Sequence, residues 1–152
     1  MKTTVFKITG DPKADRDMLT QAAAMIKRGD LVAFPTETVY GLGANALSAD
    51  AVKKIFEAKG RPNWNPLIVH ISGPEMMDKI VAEYPAGFEQ LAAKFMPGPL
   101  TFLLKKTDLV PTEVSAGLDK IGVRMPNHQV ALDLIHIAGV PIAAPSANRS
   151  GR

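Results

Sequence analysis

Short apolar segments alternate with amphipathic helical patterns along this chain, and that alternation limits the fold more than any other feature. Five segments have the length of a buried strand, at 31–34, 67–71, 100–104, 121–124 and 140–144, and the β-branched stretch 3–8 predicts an opening strand. Helical spacing predicts helices at 15–28, 49–59, 74–81, 85–95 and 127–138. This order predicts an α/β (α+β) fold.

Glycines and capping residues mark the predicted ends of the helices. Ser48 suits the N-cap of the second predicted helix, and Gly60 suits its end in the left-handed conformation. Asn127 is the predicted cap of the last helix. The segment 35–43, which follows a predicted strand, is interpreted as a loop rich in hydroxyl groups and glycine.

The composition sets broad limits. The chain has 152 residues, which suits one domain spanning 1–152. It contains no cysteine, so disulfides and thiolate zinc sites are excluded. No apolar run approaches the length of a membrane span, and the N-terminus lacks the apolar core of a signal peptide, so we expect a cytoplasmic protein without a membrane partner. The net charge of +3 permits anionic ligands or nucleic acid without requiring either.

Two loops carry the most suggestive polar side chains. The loop 35–43, with Thr38, is either a ligand-binding loop or an ordinary connection. Lys59 and Arg61 flank Gly60 at a helix end, where they either hold phosphates or complement the helix dipole.

Three further places in the chain also allow two interpretations each. Arg124, at a strand end, either grips a carboxylate or joins a structural ion pair. The segment 146–151 is either an anion cradle or a plain turn. His70 ends a strand and faces either a site or the core, whereas His128 and His136 are too far apart for a helical metal pair. We predict no metal site made by the protein.

Taken together, five motifs in order resemble the YrdC-type threonylcarbamoyl-AMP synthases. The resemblance runs from about Thr9 to the last residue and rests on these segments: 35–43 (PTETVYGLG), 59–62 (KGRP), 65–67 (NPL), 97–99 (PGP) and 146–151 (SANRSG). It implies a twisted mixed sheet with helices around a concave basic cavity. It also implies that L-threonine, bicarbonate and ATP form threonylcarbamoyl-adenylate and pyrophosphate. A transferase complex then uses this product to modify tRNA, and Mg²⁺ is expected to arrive with ATP.

The same resemblance implies roles for individual residues. The positions implied to hold phosphates and order the catalytic site are Lys59, Arg61, Ser146 and Asn148. Asn65 and Lys120 match further ATP positions, although the family often has a small hydroxyl residue where Lys120 stands. The positions implied to surround L-threonine are Thr38, His70, Arg124 and Ala144. Family domains continue past the Ser-x-Asn motif, so we expect this chain to lack a C-terminal segment.

Two other functions fit the same residues. A basic concave domain could hold RNA or a nucleotide without catalysis, and salt-dependent tRNA binding is the observation that would favour it. A carbamoyl-adenylate domain of a larger maturation enzyme would use carbamoyl phosphate and ignore threonine.

Overall fold

The computed structural model describes residues 2–62 and 64–148 as seven strands and six helices, which confirms the predicted α/β class. The elements, numbered in chain order, are α1 Pro12–Lys27, β1 Val32–Phe34, β2 Gly41–Asn45, α2 Ala49–Lys59, β3 Ile68–His70, α3 Pro74–Ile80, β4 Val81–Glu83, α4 Phe88–Phe95, β5 Phe102–Lys106, α5 Thr112–Ser115, β6 Lys120–Arg124, α6 Gln129–Ala138 and β7 Ile142–Ala144.

All seven strands form one mixed sheet in the order β1-β2-β7-β3-β6-β5-β4. β3 and β6 are parallel, whereas every other neighbouring pair is antiparallel. The last strand, β7, lies inside the sheet between β2 and β3. In this register His70 of β3 lies opposite Arg124 of β6, and Ile68 lies opposite both Gly122 and Ala144.

Helices cover the two faces of the sheet unequally. On one face, α2, α3 and α5 supply buried side chains to a core that includes Val69 and Val123. On the opposite face, α1 and α6 pack over β1, β2 and β7 around Phe34 and Ile142. Burial of these apolar side chains is the main source of stability for both layers.

The second face remains partly open where it passes from β7 to β5. Side chains of directly paired residues share one side of a sheet. Ile68, Gly122 and Leu103 are paired in this way on the α1–α6 face. Ile68 is 37% exposed and Leu103 is 67% exposed, so α1 and α6 do not cover this part of the sheet. The open area of β3, β6 and β5 is hereafter called the open face.

The prediction of a strand at 3–8 was wrong. Residues 2–9 form no strand, and Phe6 instead packs against the core between α1 and α6. The backbone N–H of Thr9 donates to the Asp15 carboxylate rather than to a neighbouring strand. The β-branched and aromatic residues of this segment therefore reflect packing on a core and not strand pairing.

The interpretation of 41–43 as part of the loop 35–43 was also wrong, because these residues belong to β2. A Cβ atom on Gly43 would lie 2.6 Å from Cγ2 of Ile142 and 2.8 Å from Cε1 of Phe34. The glycine is therefore required by close packing within a strand and does not signal a turn.

Several boundaries also differ from the predictions. The predicted helix 74–81 ends at Ile80, because Val81 is the first residue of β4 and pairs with Lys106 of β5. Gly87 adopts φ +83°, so α4 begins only at Phe88. His128, not Asn127, caps α6, since its Nδ1 accepts from the N–H of Val130. The Ser48 cap and the Gly60 terminus of α2 are confirmed.

In the described part of the chain, no helix combines the length and the apolar character that a bilayer crossing requires.

Candidate active site

Two loops meet at the edge of the open face. The loop 35–40 joins β1 to β2, and the loop 145–148 follows β7. The N–H of Leu42 donates to the carbonyl of Pro145 at 3.0 Å, and the N–H of Ala147 donates to the carbonyl of Tyr40 at 2.8 Å. The first and last of the motifs noted in the sequence are therefore neighbours in space. Residues 149–151 of the last motif lie outside the described residues.

Lys59 ties α2 to the loop 145–148. It is the last residue of α2 and is only 3% exposed. Its ammonium donates to the carbonyl of Ser146 at 2.5 Å and also to the carbonyl of Asn148. Burial, together with the nearby Arg61 guanidinium, lowers the pKa of Lys59. Three of the four residues predicted to hold phosphates are thus brought together, with Lys59 ordering the loop that carries the other two.

Arg61 organises the short loop that leads into β3. Its Nη2 donates to the carbonyl of Pro66 at 2.9 Å, and its Nε lies 3.4 Å from the carbonyl of Asn65. Burial lowers the pKa of Arg61. The guanidinium therefore lies beside the backbone of Asn65, another of the residues implied to bind ATP. Asn63 of this loop lies outside the described residues.

Arg124 and Glu37 form a largely buried ion pair at the end of β6. The guanidinium of Arg124 donates from Nη2 to Oε1 of Glu37 and from Nε to the carbonyl of Gly98 at 3.2 Å. The second oxygen of Glu37, Oε2, accepts from the N–H of Asn127 at 2.7 Å. The structural ion pair, one of the two interpretations of Arg124, is therefore present.

His70 lies opposite Arg124 and is buried. Its Nδ1 lies 3.2 Å from the carbonyl of Ile68 and 3.3 Å from that of Ile142. Since both neighbours are acceptors, we assign the ring proton to Nδ1, which leaves Nε2 as an acceptor. Burial, reinforced by the positive charge of Arg124, lowers the pKa of His70 to about 4. The imidazole is therefore neutral at physiological pH.

Two further residues are implied to surround threonine, namely Thr38, which is next to Glu37 in the chain, and Ala144, which lies on the strand beside β3. Thr38 follows Glu37 in the loop 35–40, where its Oγ1 lies 3.1 Å from Oγ1 of Thr36. Ala144 is buried in β7 opposite Ile68.

Lys120 stands apart from Arg124. It is the exposed first residue of β6, opposite Lys105, and four residues of strand place it roughly 13 Å from Arg124 along β6. The pairing of β3 with β6 does not reach Lys120, because it begins at Ile68 opposite Gly122 and the N–H of Leu67 donates to the carbonyl of Val114.

Sequence reasoning missed Glu37 and Gly98. Glu37 is the one acidic residue of the motif 35–43, and the need of a buried arginine for a carboxylate could have drawn attention to it. Gly98 lies in the motif 97–99, and a Cβ there would lie 2.5 Å from the carbonyl oxygen of Phe95. Its carbonyl is directed at Arg124, which no pattern in the sequence indicates.

Metal ligands are not gathered in the described residues: no three carboxylate or imidazole side chains there come together. A cavity of about 550 Å³ is bordered by Pro35 and Tyr40 of the loop 35–40, and one of about 410 Å³ lies beside α3; neither is lined by Lys59, Arg61 or Arg124. The concave basic cavity stays a prediction.

Comparison with known proteins gives a consistent result. The Sua5/YciO/YrdC family model, described as "Telomere recombination", matches residues 24–152. A threonylcarbamoyl-AMP synthase of Pyrococcus abyssi is 58% identical over 131 residues, which cover 86% of this chain and 38% of that protein. One from Bacillus subtilis is 49% identical over 146 residues, which cover 95% of this chain and 42% of that protein.

A solved structure extends the likeness to three dimensions. The crystal structure of P. abyssi Sua5 complexed with L-threonine superposes with a TM-score of 0.88 at 55% identity, covering 90% of this chain and 40% of that one. The chain thus spans about two fifths of the length of these relatives. Because the family model matches most of the chain and the fold agrees, the chain belongs to the Sua5/YciO/YrdC family.

Proposed function

We propose that this protein synthesises L-threonylcarbamoyl-AMP from L-threonine, bicarbonate and ATP and releases pyrophosphate, as a step in the threonylcarbamoyladenosine modification of tRNA. The observation that carries the proposal is the likeness to P. abyssi Sua5, whose structure was solved with L-threonine, at 55% identity and a TM-score of 0.88. The synthases of P. abyssi and B. subtilis support the same reaction by name.

The chemistry requires several anions to be held together. The carbamate of threonine attacks the α-phosphorus of ATP through its oxygen, and the bond from that phosphorus to the pyrophosphate oxygen breaks. Because the carbamate itself is the nucleophile, no side chain needs to form a covalent intermediate. The protein supplies positioning and offsets the repulsion between carboxylate, carbamate and triphosphate.

The ATP side of the proposed site lies where Lys59 and Arg61 meet the loop 145–148. The ammonium of Lys59 is held by the carbonyls of Ser146 and Asn148, so we assign Lys59 chiefly to ordering the loop that would cradle the phosphates. Arg61 is the cation that we assign to direct phosphate contact, because a guanidinium matches the geometry of phosphate oxygens. Asn65 and Lys120 complete this group.

The threonine side lies where the loop 35–40 reaches the end of β6. Arg124 would pair with the carboxylate, and the neutral His70 would accept a hydrogen bond at Nε2 from the amino or hydroxyl group of the substrate. Thr38 and Ala144 would border the same ligand.

Magnesium enters this proposal with the nucleotide. The described residues bring no group of three carboxylate or imidazole ligands together, and Mg²⁺ in nucleotide sites commonly takes most of its ligands from phosphate and water. Bound in that way, the ion would neutralise charge on the leaving pyrophosphate. We further propose a cytoplasmic protein that delivers its product to a downstream transferase acting on tRNA.

The test is pyrophosphate release by the intact protein. We expect release from MgATP only when L-threonine and bicarbonate are both present, and we expect the product to be threonylcarbamoyl-adenylate by mass spectrometry. Release that depends on carbamoyl phosphate instead of threonine would assign the chain to a carbamoyl-adenylate domain. Salt-dependent tRNA binding without any release would assign it to a non-catalytic binding module.

A further inference from the structure

We propose that Glu37 is a positioning residue that fixes the Arg124 guanidinium so that one defined corner faces the substrate carboxylate. The inference rests on the proposed function and adds to it the group that sets selectivity for a carboxylate. Glu37 contacts no reacting atom in this proposal, because it acts through Arg124.

The geometry around Arg124 leaves one corner of the guanidinium for a ligand. Nε donates to the carbonyl of Gly98 and Nη2 donates to Glu37. Within residues 2–62 and 64–148, Nη1 has no hydrogen-bond partner. A guanidinium carries five N–H donors in a rigid plane, so fixing two of its nitrogens also fixes the direction in which the third presents its donors.

Glu37 is itself held at both oxygens. Oε1 accepts from Arg124, and Oε2 accepts from the N–H of Asn127, just before α6 begins. A carboxylate at a helix N-terminus is favoured by the exposed N–H groups and the helix dipole. The side chain therefore cannot turn away from Arg124 without losing two hydrogen bonds.

The chain on either side of Glu37 is also anchored. Oγ1 of Thr36 donates to the carbonyl of Val39 at 2.6 Å, and the carbonyl of Tyr40 accepts from Ala147. The loop 35–40 thus contacts the chain beyond β7 at one end and Arg124 of β6 near the other. Because β3 lies between those strands, the loop spans the position of His70. Glu37 couples Arg124 to that loop, which carries Thr38.

The experiment compares L-threonine with L-threoninamide, which lacks the negative charge. Binding of both ligands is measured by calorimetry on the intact protein, as wild type, Glu37→Gln and Glu37→Asp. Glu113→Gln is the matched control, since Glu113 forms an ion pair with Lys53, on α2, at a distance of 3.9 Å. The Michaelis constants for threonine and ATP are measured in parallel by pyrophosphate release.

We expect Glu37→Gln to weaken L-threonine binding about tenfold to 100-fold, with a much smaller effect on the amide and on the Michaelis constant for ATP. Glu37→Asp retains the charge and should fall between Glu37→Gln and wild type, which keeps the test informative if Glu37→Gln folds poorly. Glu113→Gln should match wild type with both ligands.

Three results would overturn the inference. Equal weakening of both ligands would show a purely structural role, unchanged threonine binding would show no role, and tighter binding would show that Glu37 competes with the substrate for Arg124. The wild-type measurements test the proposed function separately from the variants. If the wild type neither binds threonine nor releases pyrophosphate, the proposed function is wrong, whatever the variants do.

Discussion

The ammonium of Lys59 lies 2.5 Å from the carbonyl oxygen of Ser146, although 87 residues separate them along the chain. The contact is made to the backbone, so it orders the loop 145–148 whatever the side chains there do. A lysine that the sequence indicates as a candidate phosphate ligand thus connects, in this structure, the end of α2 to the chain after β7.

We expect Lys59→Met to destabilise the protein by about 1–3 kcal/mol, because two carbonyls lose a charged donor in a buried setting. Pyrophosphate release should fall with it, since the loop that bears Ser146 and Asn148 loses its anchor. Urea unfolding and the release assay measure the two effects.

Lys54→Met is the control, because Lys54 lies on the same helix and also donates to a backbone carbonyl, that of Gly29 at 2.8 Å, but from an exposed position. It should cost less than about 1 kcal/mol. Equal losses in the two variants would show that burial of Lys59 is unimportant.

We expect Arg61→Lys to raise the Michaelis constant for ATP at least about tenfold while the midpoint of thermal unfolding changes little. Lysine retains the charge but lacks the planar fork that matches a phosphate. Steady-state kinetics of pyrophosphate release with varied ATP and saturating threonine checks this. An unchanged Michaelis constant for ATP would remove Arg61 from the phosphate site.

His70 should make the stability of the protein depend on pH. Burial holds its pKa at about 4 in the folded state, against an ordinary value of 6.5, so the unfolded chain binds the proton more readily. The contribution of the neutral His70 to the free energy of unfolding is fully present above pH 6.5 and is lost as the pH falls toward 4. Over that range it amounts to about 3 kcal/mol in the free energy of unfolding.

Urea unfolding of wild type and His70→Gln between pH 7 and pH 4.5 isolates this effect. The variant should lose the part of the pH dependence that wild type shows below pH 6.5. His136→Gln, which alters an exposed residue of α6, should retain it. Parallel pH profiles for wild type and His70→Gln would show that His70 is solvated.

We expect Gly43→Ala to destabilise the protein by about 1–3 kcal/mol, because the new methyl group would meet Ile142 and Phe34 inside van der Waals contact. Gly73→Ala is the control, since a Cβ there meets nothing within 4 Å. Its cost should be limited to the N-cap preference for glycine over alanine, about 0.5–1 kcal/mol, and should be smaller than that of Gly43→Ala. Thermal unfolding measures the stability of both variants. Equal stability of Gly43→Ala and Gly73→Ala would contradict the packing argument.

The helices were the more predictable part of the fold. The pattern of α2 is closed by Ser48 and Gly60, both of which act through local backbone geometry, so its bounds follow from sequence alone. β2 was not predictable in this way. Gly43 is required there by Phe34 and Ile142, which reach it only once the sheet has formed.

In the candidate site, too, some features follow from local sequence and others depend on contacts between distant parts of the chain. Lys59, Arg61 and Arg124 stand out as cations near the ends of apolar elements, and the structure places each of them beside the open face or its bordering loops. That Lys59 binds carbonyls, and that Arg124 pairs with Glu37, depends on contacts over nearly 90 residues of chain. No local pattern encodes partners at that separation.

The position of β7 inside the sheet has a consequence for biosynthesis. β7, the last strand in the described part of the chain, is inserted between β2 and β3, so those two earlier strands have no shared neighbour until residue 144 has left the ribosome. Pairings between segments so distant in sequence are slow to form. Before that point the pairings of β1 with β2 and of β3 with β6, β5 and β4 can form only as two separate groups of strands, and β7 is the strand that joins them into one sheet.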